Sequence, residues 1–450
     1  MSSEKKPSLS LQAKKFIEDN IEDIEKGDFN KLFLKPSLAN NPSLLKEICE
    51  VLLEVSDDFV SFLHTSILSN RGKFMNHFKF HPIGQGLFYT GSIANDFFNF
   101  VYDCGSYSGE KCKKRAIDDY VRSLRNFKKS EIDFFVLSHL HRDHFNGINY
   151  LMSKIKIKKF YLPFIGYDND FKALVLAGAV FLNGLNDDNQ DEAYAMFNLM
   201  LSLYDEESIE GREVVLVGAN PENEKEGYAY TKITFNAKFN DKDYWKFTLF
   251  NRRIDNEKLT CLLSKMRALI KEKQAESIVD LIKNHRISDI AEIYGKVFDN
   301  QNITSTVLLH EPEQDCLEAY YNESDQHLYG RRMRYRLRYP CGFCRNSNKH
   351  TALPTSLLTG DIQVDEELAN AIKASLNNQD VGVLQIPHHG SHNNYEKLDS
   401  EGIHAEVYIA PYGLGNSYKH PSPETIEDLC VKGRTFYSAN QYDFFDYIIE

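Results

Sequence analysis

SHLHRDHFNG, Ser138 to Gly147, holds three of the chain's 15 histidines within six residues, with an aspartate set directly before the third. It follows EIDFFVL, an apolar run of strand length, so the histidines begin where a buried strand ends. His139 and His141 stand two apart, and in an extended segment both project to the same side. Asp143 and His144 come next, as the chain turns toward a helix expected to begin near Phe145. Four ligands from one short loop are enough to begin two adjacent metal sites. Imidazoles with one or two carboxylates suit zinc, manganese or iron. The bland alternative, a solvated histidine-rich loop, loses ground because other strand ends supply matching groups.

Those groups are Asp361, closing LLTGD after Thr359 and Gly360, and the histidines of IPHHGSH. A carboxylate at the end of an apolar strand can bridge two metals, and His388 or His389, also at a strand end, can complete the second site. Taken singly, TGD is a turn and HHG a loop; taken together, they bring ligands from remote strands to one edge.

Upstream, FKFHPIGQGLFYTGSI, a turn at AND, and FFNFVYDCGS read as strands, and KKRAIDDYVRSLRNF reads as a helix. Strand, helix and buried strand in that order predict an α/β layered core. Residues 1–75 place apolar residues at helical spacing and predict a small helical domain that packs or recruits a protein partner. Residues 76–450 form the second expected domain. Within it, residues 167–300 are mostly helical in pattern, with strand-like REVVLVGA and YWKFTLFNR, and read as a lid or substrate-shaping insertion. A second, polar insertion at 313–352 contains RRMRYRLRYPCGFCRN. Its arginines interleaved with aromatics suit a phosphate backbone or stacked bases, and equally an exposed strand face. Cys341 and Cys344 have CxxC spacing without a second pair; a structural metal there would need His350 or Cys316, and reduced inert thiols are the alternative. His285 and His310 fall in helical and strand contexts and read as surface or core residues.

A net charge of -12 excludes a global basic field for nucleic acid, though not a local groove. No apolar run approaches the roughly 18 to 20 residues that span a bilayer. The start, MSSEKKPSLSLQ, lacks the apolar centre of a signal peptide, so a cytoplasmic protein that binds no membrane is expected. Eight scattered cysteines form no secreted disulfide framework.

In order, GQG (Gly84 to Gly86), YDCG with Asp103, SHLHRDHFNG, LLTGD, LQIPHHGSH and HPSPETIEDL resemble the metallo-β-lactamase superfamily. The match is closest to the hydrolase domain of ComEC-type competence proteins and spans Phe78 to Glu450 apart from the two insertions. The resemblance implies an αββα sandwich with the metals at the sheet edge. His139, His141, Asp143, His144, Asp361 and His388 or His389 would be ligands, and Asp103 would orient their loop. Two departures stand out. The third-motif histidine is replaced by QNITSTVLL, which offers Asn302, Thr304 and Ser305 beside the ligands, and GQG is followed by Leu87 rather than an acidic residue.

The resemblance further implies a hydrolase with a two-metal zinc site, or manganese or iron, that lowers the pKa of bound water. Its substrate would be a phosphodiester, with single-stranded nucleic acid foremost. Asp143, Arg142 and His420 are the expected catalytic residues, Arg142 for charge stabilisation. His420 precedes Pro421, which fixes its direction, and as neutral imidazole it would bind a phosphoryl oxygen, or as imidazolium protonate the leaving oxygen. Ser422, Pro423 and Glu424 explain themselves as a helix start that Gly433 ends. Two other readings stay open: a lactonase or thioesterase, and a non-catalytic metal-binding scaffold.

Overall fold

The polypeptide is described by a computed structural model that covers residues 10–20, 76–126, 129–165, 190–204, 212–218, 230–239, 242–252, 256–276, 305–313, 319–321 and 351–449, with a few isolated positions between them. Asn302, Thr304, His285, Cys316, Cys341, Cys344, His350 and the arginine-aromatic run 331–339 lie outside the described residues, as does most of the expected N-terminal domain. The chain divides into two units, residues 1–74 with 123–129, and residues 75–122 with 130–450. In the first, α1 (Leu11–Asp19) is capped by Ser10, whose hydroxyl accepts from the Ala13 N–H at 3.1 Å.

The larger unit is a mixed α/β sandwich of two sheets. Six strands follow one another across the first sheet: β1 (Asn76–Phe80), β2 (Gly86–Ile93), β3 (Phe98–Ser106), β4 (Glu131–Val136), β5 (Lys156–Pro163) and β6 (Glu213–Val217). The second sheet contains β7 (Tyr230–Phe239), β8 (Lys242–Arg252), β9 (Val307–Pro312), β12 (Ser356–Leu358), β13 (Val381–Gln385), β14 (Ala405–Pro411) and β15 (Thr435–Ala439). Three strands, β16 (Phe445–Ile449), β10 (Ala319–Tyr321) and β11 (Thr351–Ala352), extend the first sheet beyond β1.

Part of the stretch expected as an insertion is therefore sheet: β6 borders the first sheet, and the antiparallel pair β7 and β8 borders the second. The reason is visible in YWKFTLF, where Trp245, Phe247 and Leu249 alternate inward and are fully buried. They meet Phe78, Phe100 and Phe134 of the first sheet in one core between the two layers. Phe134 and Phe247 pack edge to face with centroids 4.9 Å apart, a geometry that the ring quadrupole favours.

Helices cover the outer faces. On α2 (Glu110–Asn126), Tyr120 packs edge-on against Phe88 of the first sheet. The second sheet is covered through Leu368 and Ile372 of α7 (Glu366–Ser375), Leu398 of α8 (His392–Ser400) and Leu429 of α9 (Pro423–Val431). Among the described residues, no helix is long and apolar enough to cross a membrane. The strands β3, β4 and β5 run parallel, as do β12, β13, β14 and β15. The loops after β4, β12 and β13 carry every candidate ligand, since side chains at the carboxyl ends of parallel strands converge on one edge.

A buried polar chain joins the sheets. Trp245 N–H donates to His310 Nδ1 at 3.3 Å, which leaves His310 Nε2–H to donate to the Tyr89 hydroxyl at 2.8 Å. Tyr89 is bonded in turn to the Tyr447 hydroxyl, and Tyr447 to Ser356 of the opposite sheet. His310 is thus a core residue. Burial pushes its pKa down to about 3. Between that value and the ordinary value of 6.5 the unfolded chain binds a proton that the folded chain refuses, so this contribution is complete above about pH 6.5 and is lost as pH falls. The slope attributable to His310 is about 1.4 kcal/mol per pH unit. Denaturant unfolding at pH 7, 6 and 5 is expected to show a flatter pH dependence in His310→Gln than in the unmodified chain; equal slopes would remove His310 from the account.

Candidate metal centre

The centre is built outward from Asp103, buried within β3 at a positive φ of 58°. Its Oδ1 accepts from the Ser138 N–H at 2.7 Å, and its Oδ2 accepts from the Ser138 hydroxyl at 2.6 Å and from His144 Nδ1–H at 2.7 Å. Because the Ser138 hydroxyl spends its proton on Asp103, its oxygen accepts from His139 Nδ1–H at 2.9 Å. Both imidazoles are thereby turned so that Nε2 faces inward. His389 is turned in the same way by another element: its Nδ1–H donates to the Pro411 carbonyl at the end of β14, 2.8 Å away. A histidine that binds a metal through one ring nitrogen commonly gives its other N–H to a carboxylate or carbonyl.

Two triads result, each with ligand atoms within 4.8 Å of one another: His139, His141 and Asp361, and Asp143, His144 and His389. Asp361 lies between them. Its Oδ1 is 3.4 Å from His144 Nε2, and its Oδ2 is 3.6 Å from His139 Nε2 and 3.9 Å from His389 Nε2. Asp143 Oδ2 is 3.1 Å from His389 Nε2. His389 is buried and enters a triad, whereas His388 is half-exposed with Nε2 4.0 Å from Asp361 Oδ2. The helix expected near Phe145 begins earlier. Its first turn, α3 (Arg142–Phe145), carries Asp143 and His144, because strand β3 lets that turn pack directly on it. A Cβ on Gly105 would lie 2.6 Å from the His144 backbone nitrogen, so only glycine permits the approach. A second turn, α4 (Ile148–Lys154), continues behind it.

The cation fits on three grounds. His139 Nε2, His144 Nε2 and Asp361 Oδ1 are buried without any hydrogen-bond partner, an arrangement that costs free energy unless something binds them. The donors are imidazole and carboxylate, which suit zinc or iron. Third, the charges are unbalanced. Burial opposes ionisation of Asp361, yet His144, His389 and His388 outweigh it and hold the carboxyl well below its usual range. Burial likewise disfavours charge on His144, but Asp361, Asp103 and Asp143 outweigh it and hold the ring well above the usual value. Protons occupy, in effect, the place of cations.

Several holding residues carry no motif signal. Gln385, fully buried, accepts from the Thr359 and Gly360 N–H groups at 3.1 Å each and donates to the Gly360 carbonyl at 3.0 Å, locking the TGD loop to β13. Ser138 is the other, and its place directly before His139 was the available clue. Ser305 is fully buried with an unpartnered hydroxyl, next to Thr306, whose N–H donates to the Ser138 carbonyl at 2.7 Å. Arg142 is half-buried on the α3 turn.

His420 stands outside the triads with its ring 5.5 Å from that of His388, on a loop docked against the HHG turn. The Ser422 N–H donates to the Gly390 carbonyl at 3.0 Å, and a Cβ on Gly390 would meet Pro421 at 2.6 Å. Ser422 is the N-terminal cap of α9 by position, but its hydroxyl accepts from the His392 N–H at 3.2 Å instead of capping its own helix. Burial, then the neighbouring His388 and His389, bring the His420 pKa down to about 4. The ring is therefore neutral at pH 7.

No family profile and no curated protein sequence matches the chain. Among solved structures, it is similar to a mutant of CmlA β-hydroxylase at 9% identity and a TM-score of 0.35, over 82% of this chain and 53% of that one. The chain thus spans about half the length of the solved structure it matches.

If the six triad residues hold metal, bound zinc or iron should fall away in the double variant Asp143→Ala, His144→Ala. Metal affinity should also drop as pH is lowered, since the histidines must shed protons to ligate. Full metal content in the double variant, measured by elemental analysis, would contradict the assignment.

Proposed function

We propose that residues 76–450 form a metal-dependent hydrolase of the metallo-β-lactamase superfamily that cleaves phosphodiester bonds, with single-stranded nucleic acid as the foremost substrate and zinc as the resident metal. Residues 1–75 would then be a separate helical module that recruits a protein partner. The single observation behind the activity is the pair of adjacent triads, with Asp361 of the first 3.4 Å from His144 of the second and three buried ligand atoms left without hydrogen-bond partners.

His139, His141 and Asp361 would hold one metal and Asp143, His144 and His389 the other. Such a pair supplies a nucleophilic hydroxide near neutral pH and neutralises phosphoryl oxygens. The chain's own residues do the rest. Asp103 and Ser138 hold two imidazoles in one tautomer, so no reorganisation is needed when charge develops. Neutral His420 binds a non-bridging phosphoryl oxygen from the open side. The half-exposed positions of His141 and His388 leave that side accessible to an extended strand, and Arg142 adds positive charge on the same turn.

Metal-loaded protein should hydrolyse single-stranded oligonucleotides, with affinity falling steeply as salt rises. Ready cleavage of a lactone or thioester with every phosphodiester untouched would replace this reading by the small-ester one. His420→Ala should retain metal and thermal stability, because its Nδ1 has no hydrogen-bond partner to lose, while turnover falls at least about a hundredfold. Since the ring is neutral down to about pH 4, the rate of the unmodified protein should show no inflection from this residue between pH 6 and 8. Unchanged turnover would return His420 to a packing role.

A further inference from the structure

Beside the metal centre lies a cleft of about 780 Å³, formed by the loops before β2, after β3, after β14 and after β15. That size falls within the about 300 to 1,000 Å³ typical of small-ligand sites. None of its lining residues carries a charge, so it does not recognise an ion. Its amides are already committed. Gln85 accepts from the Gly413 N–H, Gln441 from the Leu414 N–H, and Asn416 accepts from the His420 N–H while donating to the Gly413 and His420 carbonyls. These bonds brace the loops against one another.

What it does offer is aromatic surface. Tyr107 is 37% exposed and Tyr418 64% exposed, and both line this cleft. Each is tied to the metal centre. The hydroxyl of Tyr107 feels the charges of Asp143, Arg142 and Asp361. The ring of Tyr418 lies nearly parallel to that of His420, 13° apart with centroids at 6.2 Å, and His420 neighbours His388. Gly109 and Gly415, at positive φ, present no side chain to the opening, and a Cβ at either would meet nothing.

We propose that this cleft binds the nucleobase attached to the scissile phosphodiester, stacked on Tyr107 and Tyr418. The assignment rests on the phosphodiester reading above and names its substrate class more closely. Stacking on an uncharged aromatic surface accepts any base, because every base has a π-face. The site would therefore be tolerant of sequence and selective for unpaired strands.

The test compares thymidine 5′-monophosphate with 2-deoxyribose 5-phosphate, titrated into metal-loaded protein and followed by calorimetry. The nucleotide should bind at least about fivefold more tightly, the lower end of what one base–aromatic stack contributes. Tyr107→Ala and Tyr418→Ala should each remove most of that preference, and Tyr418→Phe should keep it. Both positions are exposed, and melting curves would confirm that the variants fold. Equal binding of the two probes, or alanine variants with the preference intact, overturns the stacking site. A parallel cleavage assay on a short oligothymidylate and its abasic analogue separates the two levels. Equal cleavage of both would leave the phosphodiester activity standing and refute the base site, whereas a base-dependent binding preference without any cleavage would keep the site and refute the activity.

Discussion

The carboxylate of Asp103 is the constraint from which the rest of the centre follows. It accepts three hydrogen bonds at 2.6 to 2.7 Å from the stretch that begins at Ser138. Through Ser138 it sets the tautomer of His139, and directly it sets that of His144. A buried carboxylate that lost these donors would be left with uncompensated charge, one of the costlier defects a core can hold. The same bonds therefore stabilise the loop and aim its ligands.

Geometry at the sheet edge does the remaining assembly. Candidate ligands come from the loops after β4, β12 and β13, and the carbonyl that orients His389 comes from the end of β14. Gln385 ties one to its neighbouring strand, Gly105 lets another lie directly on β3, and the Pro421 loop packs on Gly390. Between the sheets, the chain from Trp245 through His310 and Tyr89 to Tyr447 and Ser356 satisfies polar groups that would otherwise be buried alone. Rigid layers and short loops give side chains from opposite ends of the sequence a common focus.

Concentrating charge at that focus has a consequence. All of the triad groups but the half-buried His141 are buried; mutual attraction favours charge on Asp143, Asp361, His144 and His389, while burial and the neighbouring imidazoles hold His139 neutral. Such an arrangement is unfavourable without a cation and favourable with one, so ligand binding and folding of this edge are coupled. The uncharged cleft next to it has the opposite character. Its loops are hydrogen-bonded to one another and expose the rings of Tyr107 and Tyr418.

The sequence alone determined the local chemistry: HxHxDH after a buried strand, an aspartate after TG, a histidine pair after another strand, and the strand and helix periodicities of an α/β layered core. Those signals are legible because they depend on neighbours within a few positions. The tertiary structure alone put His389 rather than His388 in a triad, oriented by the Pro411 carbonyl 22 residues away. It also moved the helix start from Phe145 to Arg142, drew β7 and β8 out of an expected insertion into the second sheet, and assigned His310 to the core. It alone revealed Gln385 and Ser138 as supports and brought Tyr107 beside Tyr418. In each case the deciding partner is remote along the chain, and no periodicity or spacing records a contact that exists only once two sheets have packed face to face.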